Sequence, residues 1–435
     1  MGKGLSMGSR AEITFRYASE YAKASRAGKG KILDEVVSVT GWSRDNARRR
    51  LVAAVKLPPG SGRTVAVKQR KPRGRGYSYD ALLVLRQVWA ASGGQCGKYL
   101  AASMSLQLTL LEAHGELVRG GDGQVADDDG VRGRYDDEVR AELLTMSAAT
   151  IDRYLKPSKA KDAIGGYSTT KASPLLRTSI TIRQAGDEVE DVPGFFEVDT
   201  VAHCGPTLKG EFARTLNLTC VYTGWTWTKT VRNNAHANIL KGLKSCVEEI
   251  PFEVIGLDSD NGSEFLNHGV IEWAAGEQIY FTRSRPYKKN DQATIESKNN
   301  HLVRKYGFYY RYDTAKERAV LNRLWPLVNV RFNYLTPTKK PVGWASGRDG
   351  RRRRVYDDPA TPLDRLILAG VLAPGQVAEL IAYRDSLNPA QIARDIAELQ
   401  KSLLKLAGEK TNQLYLASLP NPLPDVRRGV RIKAS

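Results

Sequence analysis

The sequence predicts a multidomain protein in which N-terminal helix-turn-helix modules and a helical C-terminal region flank a central α/β domain. The chain has 435 residues, enough for about three domains. Between residues 195 and 305, short apolar runs alternate with segments of helical periodicity, whereas the regions on either side show mainly helical periodicity. We therefore expect a mixed five-stranded sheet with helices on both faces.

The first three strands of the central region predict an antiparallel meander. Residues 195–204 form an apolar run that ends at a Gly-Pro turn, and residues 212–222 are rich in Leu, Thr and Val. The third strand, 225–231, follows directly after Thr223-Gly224, as in a hairpin. The elements expected after the meander are a helix at 237–250, a strand at 252–257, a helix at 264–276, a strand at 279–282 and a helix at 291–305.

Three acidic residues occupy distinctive places in this pattern. Asp199 lies in the first strand, Asp260 follows the fourth strand at an Asn-Gly turn, and Glu296 lies on the last helix. Thirty-five residues separate Asp260 from Glu296. Functional groups in open α/β sheets usually lie at the carboxyl ends of strands, so we expect the three carboxylates to converge.

Converging carboxylates repel one another, and burial adds to the cost, so such a cluster is stable only when cations neutralise it. Oxygen ligands without His or Cys partners favour hard ions such as Mg²⁺ or Mn²⁺. Two such ions can activate an attacking oxygen and stabilise the leaving oxygen of a phosphodiester. The three residues therefore predict a site for two Mg²⁺ ions, with Mn²⁺ as a substitute.

These motifs resemble the catalytic core of the retroviral integrase and DDE transposase superfamily. The resemblance is carried by Asp199, by Ser-Asp-Asn-Gly-Ser-Glu-Phe at 259–265 and by Asp-Gln-Ala-Thr-Ile-Glu-Ser at 291–297, and it covers residues 190–335. The last motif is more similar to bacterial insertion-sequence transposases than to viral integrases. The resemblance implies a ribonuclease H-like core with Asp199, Asp260 and Glu296 as metal ligands.

Other acidic residues near the triad have simpler interpretations. An Asp after a strand is commonly a helix cap or a turn former. Glu197 shares a strand face with Asp199, and Asp258 shares one with Asp260 if the strand continues that far. We interpret Glu197 and Asp258 as supporting or surface groups, and Glu264 as a first-turn residue favoured by the helix dipole.

Composition indicates a polyanionic partner. Sixty-six Lys and Arg against 47 Asp and Glu give a net charge of +19, and +13 of this lies in the first 78 residues. The cysteines (Cys96, Cys204, Cys220, Cys246) show no paired spacing, which predicts reduced thiols without a zinc site. The sequence has no long apolar run and no signal-peptide pattern. We expect a soluble, cytoplasmic, nucleoid-associated protein without a membrane partner.

The N-terminal region is predicted to bind DNA through a helix-turn-helix. Helices are expected at 11–24, 32–39 and 44–55, with Gly41 in the turn and Ser43 as the cap of the third helix. The third helix would enter the major groove; a plain helical hairpin with a solvated charged face is the alternative. The residues predicted to contact DNA from this helix are Arg44, Asn46, Arg48 and Arg49.

A basic linker and a second helical module follow. Residues 57–78 are expected to track phosphates or a minor groove through Arg70, Lys71, Arg73 and Arg75. After helical residues 80–117 and a loop, a second helix-turn-helix is predicted at 138–155, with Ser147 as the cap. Its exposed residues would be Thr150, Asp152 and Arg153, of which Thr150 and Arg153 are predicted DNA contacts.

The C-terminal third has less informative patterns. A helix at 318–334, kinked at Pro326, precedes a basic strap at 338–354, for which a solvated loop is the alternative. Ile392, Ile396, Leu399 and Leu403 form a stripe that fits either a local bundle or a subunit contact. The expected domains are 1–56 (DNA-binding), 57–78 (linker), 79–157 (second DNA-binding module), 158–191 (linker), 192–335 (catalytic core), 336–361 (basic strap) and 362–435 (helical region and tail).

The resemblance implies a transposase that binds the terminal inverted repeats of a mobile element, frees a 3′-hydroxyl and joins it to target DNA. It also implies a dimer or higher multimer on DNA. The sequence has no phosphate-binding loop, so no nucleotide cofactor is expected. Asn300 and Arg304, four and eight residues after Glu296, are predicted DNA contacts, whereas His301 is interpreted as a surface residue. A catalytically idle repressor and a structure-selective nuclease of the same fold remain alternatives.

Overall fold

The computed structural model describes residues 5–55, 76–120, 124–126, 132–161, 181–183, 192–259, 264–265, 267–284, 295, 298–346 and 352–418. The chain divides into two compact units, Met1–Arg75 and Gly76–Ser435. Each has a hydrophobic core of its own.

The first unit is a three-helix cluster. Its turn has the expected chemistry: Gly41 adopts a left-handed conformation with φ of 70°, which glycine reaches without strain. The Ser43 hydroxyl then accepts a hydrogen bond from the Asn46 amide at 3.3 Å and so caps the third helix. Leu33, Ala47 and Leu51 are buried between the helices. The helices are α1 (Met7–Lys23), α2 (Arg26–Thr40) and α3 (Arg44–Val55).

The second unit begins with helices that join the central domain. The Gln95 and Gln107 side chains both donate hydrogen bonds to the Leu335 carbonyl, at 3.1 and 3.3 Å, and Leu110 belongs to the same apolar core as the sheet. Ser147 caps its helix by accepting from the Thr150 amide at 3.3 Å. The elements are α4 (Tyr79–Ala91), α5 (Gly97–Ala113), β1 (Gln124–Ala126), β2 (Arg132–Arg134), α6 (Asp137–Thr145), α7 (Ala148–Tyr154) and α8 (Lys156–Lys161).

A mixed sheet with flanking helices forms the centre of the second unit, as the sequence predicts. Its strands lie in the order β3, β8, β7, β4, β5, β6. The β4–β5–β6 part is the expected antiparallel meander, whereas β7, β8 and β3 extend the sheet in parallel from β4. The strands are β3 (Thr181–Arg183), β4 (Phe195–Ala202), β5 (Arg214–Cys220), β6 (Thr226–Val231), β7 (Gly256–Ser259) and β8 (Tyr280–Ser284).

The sixth strand, β3, lies in a segment that the sequence analysis assigned to a linker. The β-branched run Ile180-Thr181-Ile182 was the available signal for it. A strand of three residues is too short for alternation to be recognised, and its pairing with β8 is decided by the tertiary structure.

Helices cover the sheet and seal its antiparallel edge. At the outer edge of β6, the Asn322 side chain accepts a hydrogen bond from the Thr230 amide at 2.8 Å and donates one to the Thr230 carbonyl at 2.9 Å. Asn333 makes the same two hydrogen bonds with Thr226. Unpaired strand edges favour aggregation, and these side chains occupy the edge of β6 instead. The helices are α9 (His236–Glu248), α10 (His268–Gly276), α11 (Lys305–Gly307) and α12 (Ala315–Val330), with π-helical turns at Asn299–Arg304 and Arg331–Leu335.

The C-terminal region resolves two alternatives that the sequence left open. Within the basic strap, strands β9 (Pro341–Ser346) and β10 (Arg352–Tyr356) pair as an antiparallel ribbon rather than forming a loop. The Ile392 stripe is buried in the same core as the sheet, against α12, so it makes an intramolecular contact. The remaining helices are α13 (Pro362–Leu368), α14 (Pro374–Asp385) and α15 (Pro389–Ser418). Within the described residues, no helix is long and apolar enough to cross a membrane.

Gly242 marks the closest approach of α9 to the sheet, and its replacement by Ala should destabilise the second unit. A Cβ atom there would clash with Leu216 of β5 and lie 2.7 Å from Val231 of β6. Overpacking of this kind costs about 1–3 kcal/mol.

Gly408 is the matched control, because a Cβ atom added there meets nothing within 4 Å. In a helix interior, Gly408→Ala should stabilise by up to about 1 kcal/mol. Thermal unfolding followed by circular dichroism should show shifts of opposite sign; two shifts of the same sign would contradict this packing.

Candidate active site

Asp199 lies in the middle of the sheet, on the strand where parallel and antiparallel pairing meet. On one side of β4 it is paired with Asn217 of β5. On the other side, the last described pair between β4 and β7 joins Val198 to Ser259. Asp199 and Asp260 are each the next residue in sequence after that pair. Asp260 itself lies outside the described residues.

The Asp199 carboxylate is held by two short hydrogen bonds. Its Oδ1 accepts from the Thr200 amide and its Oδ2 accepts from Asn299 Nδ2, both at 2.6 Å. The Asn299 amide is oriented in turn by fully buried Asn217, whose Nδ2 donates to Asn299 Oδ1 at 3.0 Å. A carboxylate offers about four acceptor positions, and these two bonds fix the direction in which it points.

Glu197 contacts the segment that carries Glu296. It is two residues before Asp199, is 4% exposed, and accepts a hydrogen bond from the Ile295 amide at 2.8 Å. Ile295 directly precedes Glu296 in sequence and Asn299 follows it by three residues, and both contact β4 side chains. Glu296 lies outside the described residues, but residues on both sides of it are held to the strand of Asp199.

The structure decides between the two roles considered for Glu197 and Asp258. Both side chains are interior rather than surface groups. Asp258 is fully buried in β7 and accepts from the Thr282 hydroxyl at 2.6 Å. Burial of a carboxylate is tolerated when it is hydrogen-bonded, so these two residues support the sheet from within.

Glu264 does not lie in a helix, contrary to the sequence prediction. Helix α10 begins at His268, capped by Asn267, and Glu264 precedes it in a turn. Its Oε1 accepts from Thr200 Oγ1 at 3.1 Å and from Arg214 Nη1 at 3.2 Å. Arg214 also donates to Thr200 at 3.1 Å. This network therefore holds Glu264, which follows the 260–263 segment, next to Thr200, which follows Asp199. A helix-dipole argument cannot predict such a tertiary contact.

The π-helical turn changes the geometry expected for Asn300 and Arg304. Its hydrogen bonds span five residues instead of four, so an α-helical face argument fails there. The side chains that reach β4 are Asn299 and Arg304, and Arg304 Nη2 donates to the Ala202 carbonyl at 2.9 Å. Burial lowers the pKa of Arg304 from its ordinary value. Asn300 and His301 are exposed.

A buried histidine lies next to this region. His203 is fully buried, with Nε2 2.7 Å from the Thr215 hydroxyl. Burial, together with the nearby charges of Arg304 and Arg214, lowers the pKa of His203 well below its usual range. The imidazole is therefore neutral, with a role in packing.

Two of the four predicted DNA contacts of the first unit, Arg48 and Arg49, are exposed basic side chains on α3. Arg48 and Arg49 are 63% and 71% exposed and share Asp45 as an ion partner. Arg44 pairs with Asp34 and also donates to a carbonyl of α2, so its guanidinium already binds within the protein. The Asn46 side chain accepts from Arg50 at 3.4 Å.

The second predicted module presents a smaller polar surface. Arg153 is exposed and donates to the Thr150 hydroxyl at 3.0 Å. Asp152 has a structural contact, because its carboxylate accepts from the Gly97 amide at the start of α5, at 2.8 Å, and pairs with Lys159. The linker residues Arg70, Lys71, Arg73 and Arg75 lie outside the described residues.

The chemistry of Asp199 fits a hard divalent cation. Its carboxylate oxygens are ligands that Mg²⁺ prefers over thiolates or imidazoles, whereas the amide groups that contact it are N–H donors that orient it. The four cysteines are free, and three of them are buried. Across the ranges that the structure describes, no group of three or more His, Cys, Asp or Glu side chains is assembled as a metal site. Two of the three predicted ligands, Asp260 and Glu296, fall outside those ranges.

Several supporting residues were not singled out from the sequence. Asn217, Thr200 and Arg214 carry no motif, and their roles depend on strand register. Asn299 carries no motif either, because no residue pattern marks the π-helical turn that begins at it.

The chain was compared with protein families, with known sequences and with solved structures. No protein-family model matches the chain. The chain is 34% identical over 365 residues to "Uncharacterized protein y4rM" of Sinorhizobium fredii (strain NBRC 101917 / NGR234), covering 84% of this chain and 97% of that protein. Among solved structures, the catalytic core domain of BIV integrase aligns with 44% of this chain and 98% of its own, at 15% identity and a TM-score of 0.28. The case for a function therefore depends on this chain's own residues.

Glu264→Gln should destabilise the second unit more than the same change at Glu211. Arg214 and Glu264 are 17% and 13% exposed, so the substitution leaves a buried guanidinium without its counter-charge. We expect a loss of about 2–3 kcal/mol, somewhat less than for a fully buried pair. Glu211 pairs with Arg232 at 2.7 Å on the surface, where solvent screens the charges, so Glu211→Gln should have little effect. Equal shifts in thermal unfolding for the two variants would contradict a structural role for the Arg214 network.

Proposed function

We propose that this chain, which belongs to the same family as protein y4rM of Sinorhizobium fredii, is a DNA transposase of the DDE type. It would be a metal-dependent polynucleotidyl transferase that cleaves the ends of a mobile element and joins them to target DNA. The observation that carries the proposal is that β4, the strand of Asp199, contacts described neighbours of both other predicted ligands.

The sheet supports a ribonuclease H-like core. An antiparallel meander, β4–β5–β6, is extended from its first strand by parallel β7 and β8. The resemblance seen in the sequence implies this arrangement, with the first carboxylate on the first strand and the second after the fourth. Asp199 lies on β4, and in the sequence Asp260 directly follows the last residue of β7, Ser259.

Three described contacts support convergence of the triad. The Val198–Ser259 pair ends one residue before both Asp199 and Asp260. Glu197 binds the amide of the residue before Glu296, and Asn299, three residues after Glu296, binds Asp199 directly. Described neighbours of Asp260 and Glu296 therefore contact β4, the strand of Asp199, which supports the proposal.

Asp199, Asp260 and Glu296 would hold two Mg²⁺ ions, or Mn²⁺ in their place. When bound, such ions activate an attacking oxygen and stabilise the leaving oxygen of a phosphodiester. Asn299 and the Thr200 amide would orient the Asp199 carboxylate for this role. Support of this kind fixes the direction of a ligand and tunes its affinity.

The chemistry would proceed in two in-line displacements at phosphorus. In the first, a water oxygen bonds to the phosphorus at the element end, and the bond to the 3′-oxygen breaks to free a 3′-hydroxyl. In the second, that hydroxyl oxygen bonds to a target phosphorus and a target 3′-oxygen leaves. Neither step needs a covalent protein intermediate or a nucleotide cofactor.

Recognition of the element ends is proposed for the helical modules. In the first unit, α2, the Gly41 turn and α3 would act as a helix-turn-helix, and the exposed side chains of Arg48 and Arg49 on α3 support this. In the second unit, α6 and α7 form a second candidate, with Arg153 exposed. Joining two ends in concert would require a dimer or higher multimer on DNA.

Glu296→Gln should abolish DNA cleavage and joining without preventing DNA binding. The change removes one charge from the proposed metal site while keeping the shape of the side chain, and we expect a loss of more than about 100-fold in joined product. The assay uses labelled DNA ends that flank the gene for this chain, with Mg²⁺ and the full chain. Glu277→Gln is the control, because Glu277 is an exposed residue after α10 and should behave as wild type.

The products distinguish the proposal from its alternatives. Joined products that are lost only in the Glu296 variant support a transposase. Cleavage without joining in the wild type would overturn the proposal in favour of a nuclease, and tight binding with neither reaction would favour a repressor.

Asn299→Ala should raise the Mg²⁺ concentration that the reaction requires, whereas Asn300→Ala should not. Asn299 binds the Asp199 carboxylate, whereas its neighbour Asn300 is exposed. Removal of such a supporting contact typically lowers metal affinity or activity about 10- to 100-fold. The half-saturating Mg²⁺ concentration for strand transfer should therefore rise for Asn299→Ala. An effect of Asn300→Ala confined to the DNA concentration dependence would fit a DNA contact; equal Mg²⁺ shifts in both variants would contradict the role of Asn299.

A further inference from the structure

Phe308 has a backbone conformation that is rare for a residue with a side chain. It follows the short helix α11, and its φ of 57° and ψ of −169° lie in a region that is occupied almost only by glycine. Where a helix ends at a positive φ, glycine is the usual residue because it has no Cβ atom. Among the described residues, Gln278 is the other non-glycine residue with a positive φ. The chain therefore keeps a phenylalanine at a strained position that favours glycine.

Packing at the end of α11 does not account for this strain. A Cβ atom on Gly307 would lie 2.9 Å from Trp325 Cη2, so glycine is needed there for close approach, and the chain turns at the next residue. A glycine at position 308 would make the same turn without strain. The Phe308 ring is partly exposed, and within the described residues it is not among the side chains packed into a hydrophobic core. Strain that packing does not explain points to a function for the ring.

Phe308 belongs to an aromatic segment, residues 308–310, whose rings are held by their neighbours. The centroids of the Phe308 and Tyr310 rings lie 5.5 Å apart with an angle of 56° between the ring planes, and Tyr310 packs against the core of the second unit. The guanidinium carbon of Arg304 lies 5.0 Å from the centroid of the Tyr309 ring, within the range of a cation–π interaction. All three aromatic side chains are partly exposed. The segment therefore offers ring surface to a ligand at a fixed place.

The aromatic segment is attached at the carboxyl-terminal end of β4. Arg304 Nη2 donates to the carbonyl of Ala202, the last residue of that strand, at 2.9 Å. After the segment, the Tyr312 amide donates to the His203 carbonyl at 3.1 Å. Before it, a Cβ atom on Gly307 would lie 3.6 Å from His203 Cε1. The chain on both sides of the aromatic residues is therefore held to the residue that directly follows β4.

This end of β4 is the one at which the candidate active site lies. Strands β4 and β7 are parallel, and the last residue of β7, Ser259, directly precedes Asp260 in the sequence. His203 is four residues after Asp199. At about 3.3 Å per residue, the two positions are about 13 Å apart along the strand direction. One DNA strand carries a phosphate about every 3.4 Å along the helix axis, so the distance corresponds to about four nucleotides.

We propose that the Phe308 ring, supported by Tyr310, stacks on an unpaired base of the DNA strand whose end is joined. The inference rests on the proposed function, because it adds a contact for the substrate of that reaction. Aromatic rings stack on any base, since every base has a flat π face. A base inside a duplex must leave the helix to reach the ring, and stacking on Phe308 offsets part of that cost. A ring that the backbone already holds in place loses little freedom on binding.

The test measures equilibrium binding of the full chain, in EDTA, to the DNA ends that flank its gene. One form of this DNA is fully paired, a second has unpaired terminal nucleotides on the strand to be joined, and a third has the same nucleotides without their bases. Wild type should bind the unpaired form more tightly than the paired form, because no base pair has to open. It should bind the base-free form about 10-fold or more weakly than the unpaired form, because the stacked base is missing.

Phe308→Gly should bind the unpaired and base-free forms equally, whereas Phe308→Trp, which keeps a ring, should retain the difference. Glycine adopts this backbone conformation without strain, so thermal unfolding of Phe308→Gly should occur no lower than in wild type. The matched control is Gln278→Gly, which removes the other positive φ from an exposed residue. Gln278 lies two residues before β8, which is parallel to β7, so it is at the opposite end of the strands from Asp260. This variant should retain the difference between the two forms.

Each outcome decides the inference. A difference that persists in Phe308→Gly would overturn it, and so would equal loss in Gln278→Gly, because the effect would then follow from relief of backbone strain. A wild type that binds DNA but does not distinguish the unpaired from the base-free form would also overturn it while leaving the proposed function in place. Since no divalent ion is present, failure of strand transfer does not affect this result. A wild type that binds none of the three forms would count against the proposed function itself.

Discussion

The hydrogen bond between Asp199 and Asn299 is the contact on which the candidate site depends. A carboxylate in the middle of a sheet is costly unless donors reach it. Here the donor comes from the segment that follows Glu296, so the same bond that stabilises Asp199 also brings that segment to the sheet. Asn217 fixes the orientation of Asn299 from the next strand. Stability and the arrangement of the site are therefore coupled in one short chain of polar side chains.

Strand β4 pairs with its two neighbours in different ways, antiparallel with β5 and parallel with β7. The β5 side is a long antiparallel pairing that continues to β6, whose edge is closed by Asn322 and Asn333. The pairing with β7 is parallel and short, and its last described pair includes Ser259, which directly precedes the predicted ligand Asp260 in the sequence. A sheet that is closed on one side leaves strand ends and connecting segments free to form a site on the other.

The sequence predicted the meander, the flanking helices and the place of Asp199, because alternation and turn residues are local signals. It could not predict the environment of Glu264, which depends on a tertiary contact with Arg214. The π-helical turn at Asn299–Arg304 was also missed, since no residue pattern distinguishes it from an α-helix and packing on β4 accompanies it. The amphipathic pattern of the Ile392 stripe indicated that it is buried, but not whether it packs within the chain or against another subunit. In the structure it packs into the core of the sheet.

The arginines show why net charge alone identifies a class of partner but not a binding surface. Arg311 is 6% exposed and donates to the carbonyls of Cys204, Thr207, Lys209 and Glu211, so its charge organises a loop. Arg365 in the same way binds the Thr338 carbonyl and the Asp357 carboxylate, on either side of the β9–β10 strands. Such guanidinium groups satisfy several acceptors at once, a task suited to a rigid fork of five donors. The positive charge that remains on the surface is therefore smaller than +19, and part of it lies where arginines are exposed, as Arg48 and Arg49 are on α3.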